Sequence, residues 1–188
     1  MSKRAFDIAI ASFALVLCAP VMAAAAVALA FERSGPILRV TRRAGRHGRS
    51  FRLYRFRTMR DAAPGTPDAE RVTRVGRFIR NSSLDELPML VNVLKGDLSI
   101  VGPRPFPIEE VDVSDPDWQS LLAVRPGLIS YAILTLNRGY NSASLARKLE
   151  LEHEYARRSA FAFDLRIFAR AVRALIGSRG NVKARGGG

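Results

Sequence analysis

SSLDELPMLVNVLKGDLSIVGPRP, residues 82–105, sets an acidic pair, Asp85 and Glu86, inside a chain that is otherwise heavily basic. Ser83 with Glu86 three residues later fits a capping box. Leu87, Leu90, Val91 and Leu94 follow at helical spacing, and Gly96 is a stop after Lys95. The pattern predicts a short helix that begins beside the acids. Pro88 is tolerated only near a helix start, because deeper inside it lacks a donor and its ring clashes with the carbonyl four residues back. Asp85 and Glu86 therefore fall in the first turn or just before it. Two readings of the pair stand side by side. Acids in a first turn satisfy free amides and the positive end of the dipole, worth a few tenths to about 1 kcal/mol. Flanked by Arg80 and Arg104, the same carboxylates make a candidate site for phosphate chemistry.

The 188 residues suffice for one domain with an appendage and fall short of two ordinary domains. Lys and Arg total 30 against 17 Asp and Glu, a formal net charge of +13, and nearly all the cations are arginine. Such a balance points to anionic partners: nucleic acid, an anionic membrane surface or phosphorylated substrates. Arginine's planar fork suits the phosphate oxygens of all three. The arginines are spread through every element rather than gathered on one recognition helix, which counts against a nucleic-acid reader. Cys18 is the single cysteine, so there is no disulfide framework and no cysteine-based zinc site; this is consistent with a reducing compartment. Walker loop, GxGxxG, paired-histidine and GxSxG motifs are all missing from the sequence, which removes the commonest nucleotide and hydrolase signatures.

Ala5 to Phe31 is the one long apolar run, interrupted by Asp7 and Pro20. About 20 apolar residues cross a bilayer as a helix, so three topologies compete. One is a cleaved signal peptide with Lys3 and Arg4 as its charged flank, another a spanning anchor. The third is a re-entrant helix-break-helix with Pro20 at the turn, entering and leaving by one face. Lys3 and Arg4 before the run, and Arg33, Arg39, Arg42, Arg43, Arg46 and Arg49 after it, favour the third, since basic flanks stay cytoplasmic.

Ile37–Val40 and Phe51–Phe56 read as a β-hairpin joined by a basic, glycine-bearing loop, with Arg55 and Arg57 on one strand face and His47 exposed. Asp61–Glu70 is a Pro/Gly loop. Arg71–Arg80 reads as an amphipathic helix that brings Arg80 to within five residues of Asp85. Ile100 and Val101 suggest a short strand, and Gly102, Pro103, Pro105 and Pro107 stiffen the loop that aims Arg104. A short helix follows Ser114–Trp118, a bend lies at Pro126–Gly127, and Leu128–Leu136 is a strand or buried segment. Leu145–Ile176 forms one or two helices, and a Gly- and Arg-rich tail from Gly177 is expected to be disordered.

The basic N-terminus before a proline-broken apolar segment, then FRLYRFRTM, RVGRFIRNSSLDELPMLVNVLKGDLSIVGPRP, RPGL and LEHEYARRSAFAFDLRIF, together resemble the bacterial sugar transferases called monotopic phosphoglycosyl transferases. The resemblance runs up to about Ile176. It implies an α+β, mostly helical fold: a re-entrant membrane hairpin over residues 1–33, a cytosolic catalytic domain over 34–176 with short strands and amphipathic interfacial helices, and a tail over 177–188. Also implied is transfer of a sugar phosphate from a nucleoside diphosphate sugar, a UDP-sugar, to polyprenol phosphate (undecaprenyl phosphate), with release of the nucleoside monophosphate. The setting would be the cytoplasmic face of the bacterial inner membrane, among its lipids, at the first membrane step of glycan or exopolysaccharide assembly. Matched residue by residue, the resemblance implies that Asp85 is the nucleophile that carries a covalent phosphosugar, Glu86 binds Mg2+, Arg80, Arg104 and Arg55 hold phosphate, and Pro20 is the membrane break. No nucleic acid is expected, and a homo-oligomer is left open. Three departures stand out: Arg55 where the family usually has Lys, Met89 where it has Gln, and Glu152 where Asp is common. The competing reading is a basic membrane- or nucleic-acid-binding protein without chemistry, in which Asp85 would be replaceable.

Overall fold

The computed structural model describes residues 2–32, 35–63, 65–140 and 142–182. In chain order these form α1 (Lys3–Glu32), β1 (Leu38–Ala44), β2 (Ser50–Phe56), the one-turn α2 (Asp68–Arg71), α3 (Arg74–Asn81), α4 (Met89–Lys95), β3 (Ser99–Val101), α5 (Pro116–Leu122), β4 (Gly127–Ile129), α6 (Tyr131–Leu136), α7 (Leu145–Arg157) and α8 (Phe161–Val182). The expected mostly helical class with small sheets is what forms.

α1 is one continuous helix of 30 residues with Pro20 inside it. The expected helix-break-helix is therefore not two helices separated by a turn. Proline's φ is already helical, so what it removes is the hydrogen bond to the Val16 carbonyl at a cost of about 3 kcal/mol, while the turns on either side keep theirs. Both ends of α1 rest on the rest of the chain. Near its start, Phe6 meets the rings of Phe161 and Phe168 edge-on at 5.7 and 5.4 Å, and Ala11 is fully buried in the main core. Near its end, Ala25 and Leu29 pack with Phe56 and Ile79, and Glu32 Oε1 accepts the Val75 N–H at 3.2 Å. Phe13, Val16, Leu17, Val21, Val27 and Phe31 stay exposed.

Asp7, the charge that interrupts the apolar run, turns out to be a buried joint. It accepts from Ser99 Oγ at 3.0 and 2.9 Å and from the Ile100 N–H at 2.9 Å. Lys3 donates to the Val101 carbonyl at 2.9 Å and pairs with Asp164, whose other oxygen accepts from Tyr155 Oη at 2.7 Å. A buried charge is tolerated only when paired and hydrogen-bonded, so these polar contacts fix the first turns of α1 against β3 and α8.

β1 and β2 are antiparallel, with Leu38 opposite Phe56 and Ala44 opposite Ser50. A second, parallel pair joins β3 to β4, Ser99 to Gly127 and Val101 to Ile129, and was not foreseen from the hairpin alone. Parallel strands need a long crossover, here supplied by the Arg104 loop and α5. The RPGL bend is held hard against the GPRP loop: a Cβ on Gly127 would stand 2.1 Å from the Gly102 nitrogen, and the Gly127 N–H donates to the Pro103 carbonyl at 2.8 Å. Only glycine permits that approach.

The core gathers Leu53 from β2, Met89, Leu90 and Val93 from α4, Leu98, Ile100 and Val101 around β3, and Tyr155 and Ile167 from α7 and α8. Each such side chain contributes about 1.5–3 kcal/mol on burial. Met89, where the resembled family usually has Gln, is 1% exposed and acts here as packing. Asn92 is completely buried and stitches α4 to the free edge of β2: its Oδ1 accepts the Tyr54 N–H at 3.1 Å, and its Nδ2 donates to the Arg52 carbonyl at 2.6 Å and to Asp97 at 3.1 Å. α8 runs to Val182, past the Gly177 at which the tail was expected to begin, because extending a formed helix adds one bond per residue fixed. Residues 183–188 lie outside the described residues.

Candidate active site

α3 is anchored at its start by Thr73, whose hydroxyl accepts the Gly76 N–H at 2.9 Å, and it ends with Arg80 in its last turn. Ser83 then takes a left-handed conformation, φ 56°, which reverses the chain into a 3₁₀ turn, Leu84–Glu86. The capping box expected between Ser83 and Glu86 does not form. In the left-handed conformation the Ser83 side chain caps nothing, and its carbonyl accepts the Glu86 N–H at 3.3 Å instead. Pro88, at φ −61°, is the residue before α4. The acidic pair thus occupies a separate turn between two helices, just before the helix start rather than inside it. α4 stops where expected: Gly96 adopts φ 91° and its N–H reaches the carbonyls of Asn92 and Val93 at 3.1 Å, with Arg4 covering the Val93 and Leu94 carbonyls at 2.6 and 2.8 Å.

Arg55, near the end of β2, reaches across to this turn and pairs with Glu86 at 2.9 Å. Its charge and that of Arg80 both act on Asp85 and favour the ionised form. Burial works the other way, and with the adjacent Glu86 charge it holds the Asp85 carboxyl above the usual carboxylate range. Asp85, Glu86, Arg55 and Arg80 are therefore one electrostatic unit. Arg57, expected on the same strand face as Arg55, lies beyond the end of β2 and pairs with Asp61 at 2.8 Å.

Arg104 belongs to the other end of the region. Its guanidinium lies over the Tyr140 ring at 5.2 Å, and Lys148 approaches the same ring at 4.8 Å. The Arg104 N–H donates to Glu152 Oε1 at 3.2 Å, and Ser130 Oγ donates to that oxygen at 2.6 Å. Glu152 has no solvent exposure, and its Oε2 makes no hydrogen bond. Burial pushes its pKa up to about 7, against the pull of Ser130 and Arg104. Sequence reasoning noticed Glu152 only as a departure and missed this role; no local pattern links it to Arg104.

One arginine was also missed. Arg43 of β1 is half-buried, and its guanidinium is repelled by those of both Arg55 and Arg104. Strand alternation was the available signal, since Arg39, Thr41 and Arg43 share a face with their partners Arg55, Leu53 and Phe51.

Among the described residues no group of three or more His, Cys, Asp or Glu side chains is placed to hold a metal ion. Magnesium binds through one or two carboxylates together with substrate phosphates, and Asp85 and Glu86 stand side by side in the acidic turn. Burial and, after it, the adjacent Glu86 charge raise the Asp85 pKa; a divalent cation would offset both, so the residues present fit that ion.

The sequence profile of the bacterial sugar transferases matches residues 1–178. The chain belongs to the bacterial sugar transferase family. It is 38% identical over 183 residues to the "uncharacterized sugar transferase EpsL" of Bacillus subtilis (strain 168), covering 95% of this chain and 89% of that protein. Another relative is the "UDP-glucose:undecaprenyl-phosphate glucose-1-phosphate transferase" of Caulobacter vibrioides, 36% identical over 187 residues, covering 94% of this chain and 70% of the relative. The "UDP-N-acetylgalactosamine-undecaprenyl-phosphate N-acetylgalactosaminephosphotransferase" of Aeromonas hydrophila is 35% identical over 185 residues, covering 93% of this chain and 43% of that longer protein. This sugar transferase therefore shares with its larger relatives the segment that holds Asp85, Glu86 and the surrounding arginines.

Proposed function

We propose that this sugar transferase moves a sugar phosphate from a nucleoside diphosphate sugar, a UDP-sugar, onto polyprenol phosphate through a covalent intermediate on Asp85. The observation that carries the reading is a half-buried carboxylate flanked by one acid and two guanidiniums: Glu86 raises the Asp85 pKa, and Arg55 and Arg80 lower it. In the first step an Asp85 oxygen attacks the sugar-bearing phosphorus. A new P–O bond forms, and the bond to the bridging oxygen breaks, its electron pair leaving with the nucleoside monophosphate. In the second step a phosphate oxygen of the polyprenol phosphate attacks the same phosphorus and returns the electron pair to Asp85. A carboxylate nucleophile thus divides transfer between two unlike partners into two displacements. Arg55 and Arg80 offset the charge of donor oxygens approaching an anion, and Arg104, stiffened by its prolines and by Tyr140, holds a phosphate at the far end. Glu86 would hold a magnesium ion, which when bound supplies charge neutralisation at the diphosphate.

The lipid-borne acceptor calls for a site at the headgroup plane. The exposed Phe13, Val16, Leu17, Val21, Val27 and Phe31 of α1 supply an apolar surface for the cytoplasmic face of the inner membrane. Because both ends of α1 pack on the same domain, the chain reads as monotopic, entering the bilayer without crossing it. The test is trapping: with labelled donor and no acceptor, the parent protein takes up sugar phosphate on Asp85, and Asp85→Asn takes up none and makes no product. Product formation by a folded Asp85→Asn variant would overturn the assignment.

A further inference from the structure

Arg43 has no counterpart among the roles described so far, and it sits half-buried among other guanidiniums. Its side chain points to the core face of the hairpin, the face that carries Leu53 and Arg55. Its own strand is tied to the segment after Arg104: Arg43 bridges to Pro107, and the Ala44 N–H donates to the Phe106 carbonyl at 3.0 Å. So the backbone of β1 stands between the strand of Arg55 and the loop of Arg104. Among the described residues, the hydrogen bond that Arg43 makes runs from Nε to Thr41 Oγ1, at 3.4 Å, and the two terminal nitrogens of its fork have no ion pair. Glu110 is the acid whose charge acts on it; Arg55, Arg104 and Arg39 oppose it.

Like charges collected at a half-buried place are tolerated when an anion joins them, and planar forks with free N–H groups are suited to phosphate oxygens. By comparison Arg46, at the exposed end of the hairpin, is spent on the Ala123 carbonyl at 2.9 Å.

We infer that Arg43 is a phosphate-binding residue, the middle member of a row of three guanidiniums that runs from Arg55 beside the acidic turn to Arg104 beside Tyr140. The assignment rests on the diphosphate-sugar reading given above. A diphosphate has two centres of charge to hold while the sugar-bearing phosphorus meets Asp85, and a row holds both where a single arginine holds one. The same chemistry serves the donor's diphosphate and the phosphate of the polyprenol acceptor.

The experiment measures binding of inorganic pyrophosphate to the full chain in detergent micelles by titration calorimetry, alongside steady-state kinetics with each substrate varied in turn. Arg43→Gln is expected to weaken pyrophosphate binding by about tenfold or more, as loss of a charge-assisted hydrogen bond would, and to raise one KM with a smaller change in kcat. A raised donor KM assigns the residue to the diphosphate, a raised acceptor KM to the lipid phosphate. Arg46→Gln serves as the control and should match the parent. Pyrophosphate affinity and both KM values unchanged in a folded Arg43→Gln variant would overturn the inference while leaving the Asp85 reading intact. Absence of pyrophosphate binding to the parent would overturn the diphosphate reading and this inference together. Should Arg43→Gln fail to fold, Arg43→Lys, which keeps the charge and loses the fork, is expected to bind pyrophosphate about threefold to tenfold more weakly; parental affinity in that variant would also overturn it.

Discussion

Replacing Glu152 by Gln should change how the stability of this transferase depends on pH. Glu152 is buried beneath the Arg104 loop with no solvent exposure, and its pKa rises from 4.5 to about 7. A raised folded-state pKa means that the native protein keeps a proton which the unfolded chain releases. The stability contributed by that proton is complete below pH 4.5 and is lost as pH rises through about 7. At 1.36 kcal/mol per unit, the whole window is worth ~3 kcal/mol, and roughly 2.5 kcal/mol of it falls between pH 5 and pH 8. Gln is neutral throughout, keeps an oxygen for the Arg104 N–H and Ser130 Oγ, and carries no ionisation step. Trp118 gives a convenient signal, since it is the single tryptophan and meets the Phe106 ring edge-on at 5.1 Å, just beyond the Arg104 loop. Urea unfolding of parent and Glu152→Gln, followed by its fluorescence in one detergent from pH 5 to pH 8, should show the variant gaining on the parent by roughly 2.5 kcal/mol across the range. Subtracting the two curves cancels every other titrating group. A difference that stays flat over those three units would refute the buried, proton-holding Glu152 and the positioning of Arg104 that depends on it.

Two further outcomes follow from the acidic turn and from α1. Asp85 must be ionised to attack, and burial with Glu86 raises its pKa while Arg80 lowers it; Arg80→Gln should therefore move the acid limb of the kcat profile to higher pH, and an unmoved limb would separate Arg80 from the nucleophile. With Cys18→Ser as background, single cysteines at Ser2 and Ile37 should react with a membrane-impermeant maleimide from the same side of sealed vesicles. Reaction from opposite sides would mean that α1 crosses the bilayer.

Features set by neighbouring residues were legible in the chain. The hairpin around Gly45–Arg49 showed in its alternation, the end of α4 at Gly96 in a glycine after a lysine, and the closeness of Arg80, Asp85 and Glu86 in their spacing alone. Even locally the reading slipped where one backbone angle decided the matter: Ser83 has the identity of a cap, but its φ of 56° turns the chain into a 3₁₀ turn instead. Pro20, a residue that breaks helices in general, lies within the continuous α1.

Tertiary structure alone decided the rest. It brought Arg55 to Glu86, set Arg43 between Arg55 and the Arg104 loop, buried Asp7 against β3, hid Glu152 beneath Arg104 and paired β3 with β4 across a glycine contact. Side-chain period and turn chemistry report on residues a few positions apart, whereas the field at a carboxylate depends on which distant charges the packed core carries to it and how much water it excludes. The chain therefore announced its chemical groups by type and order, and the fold determined which of them act on one another.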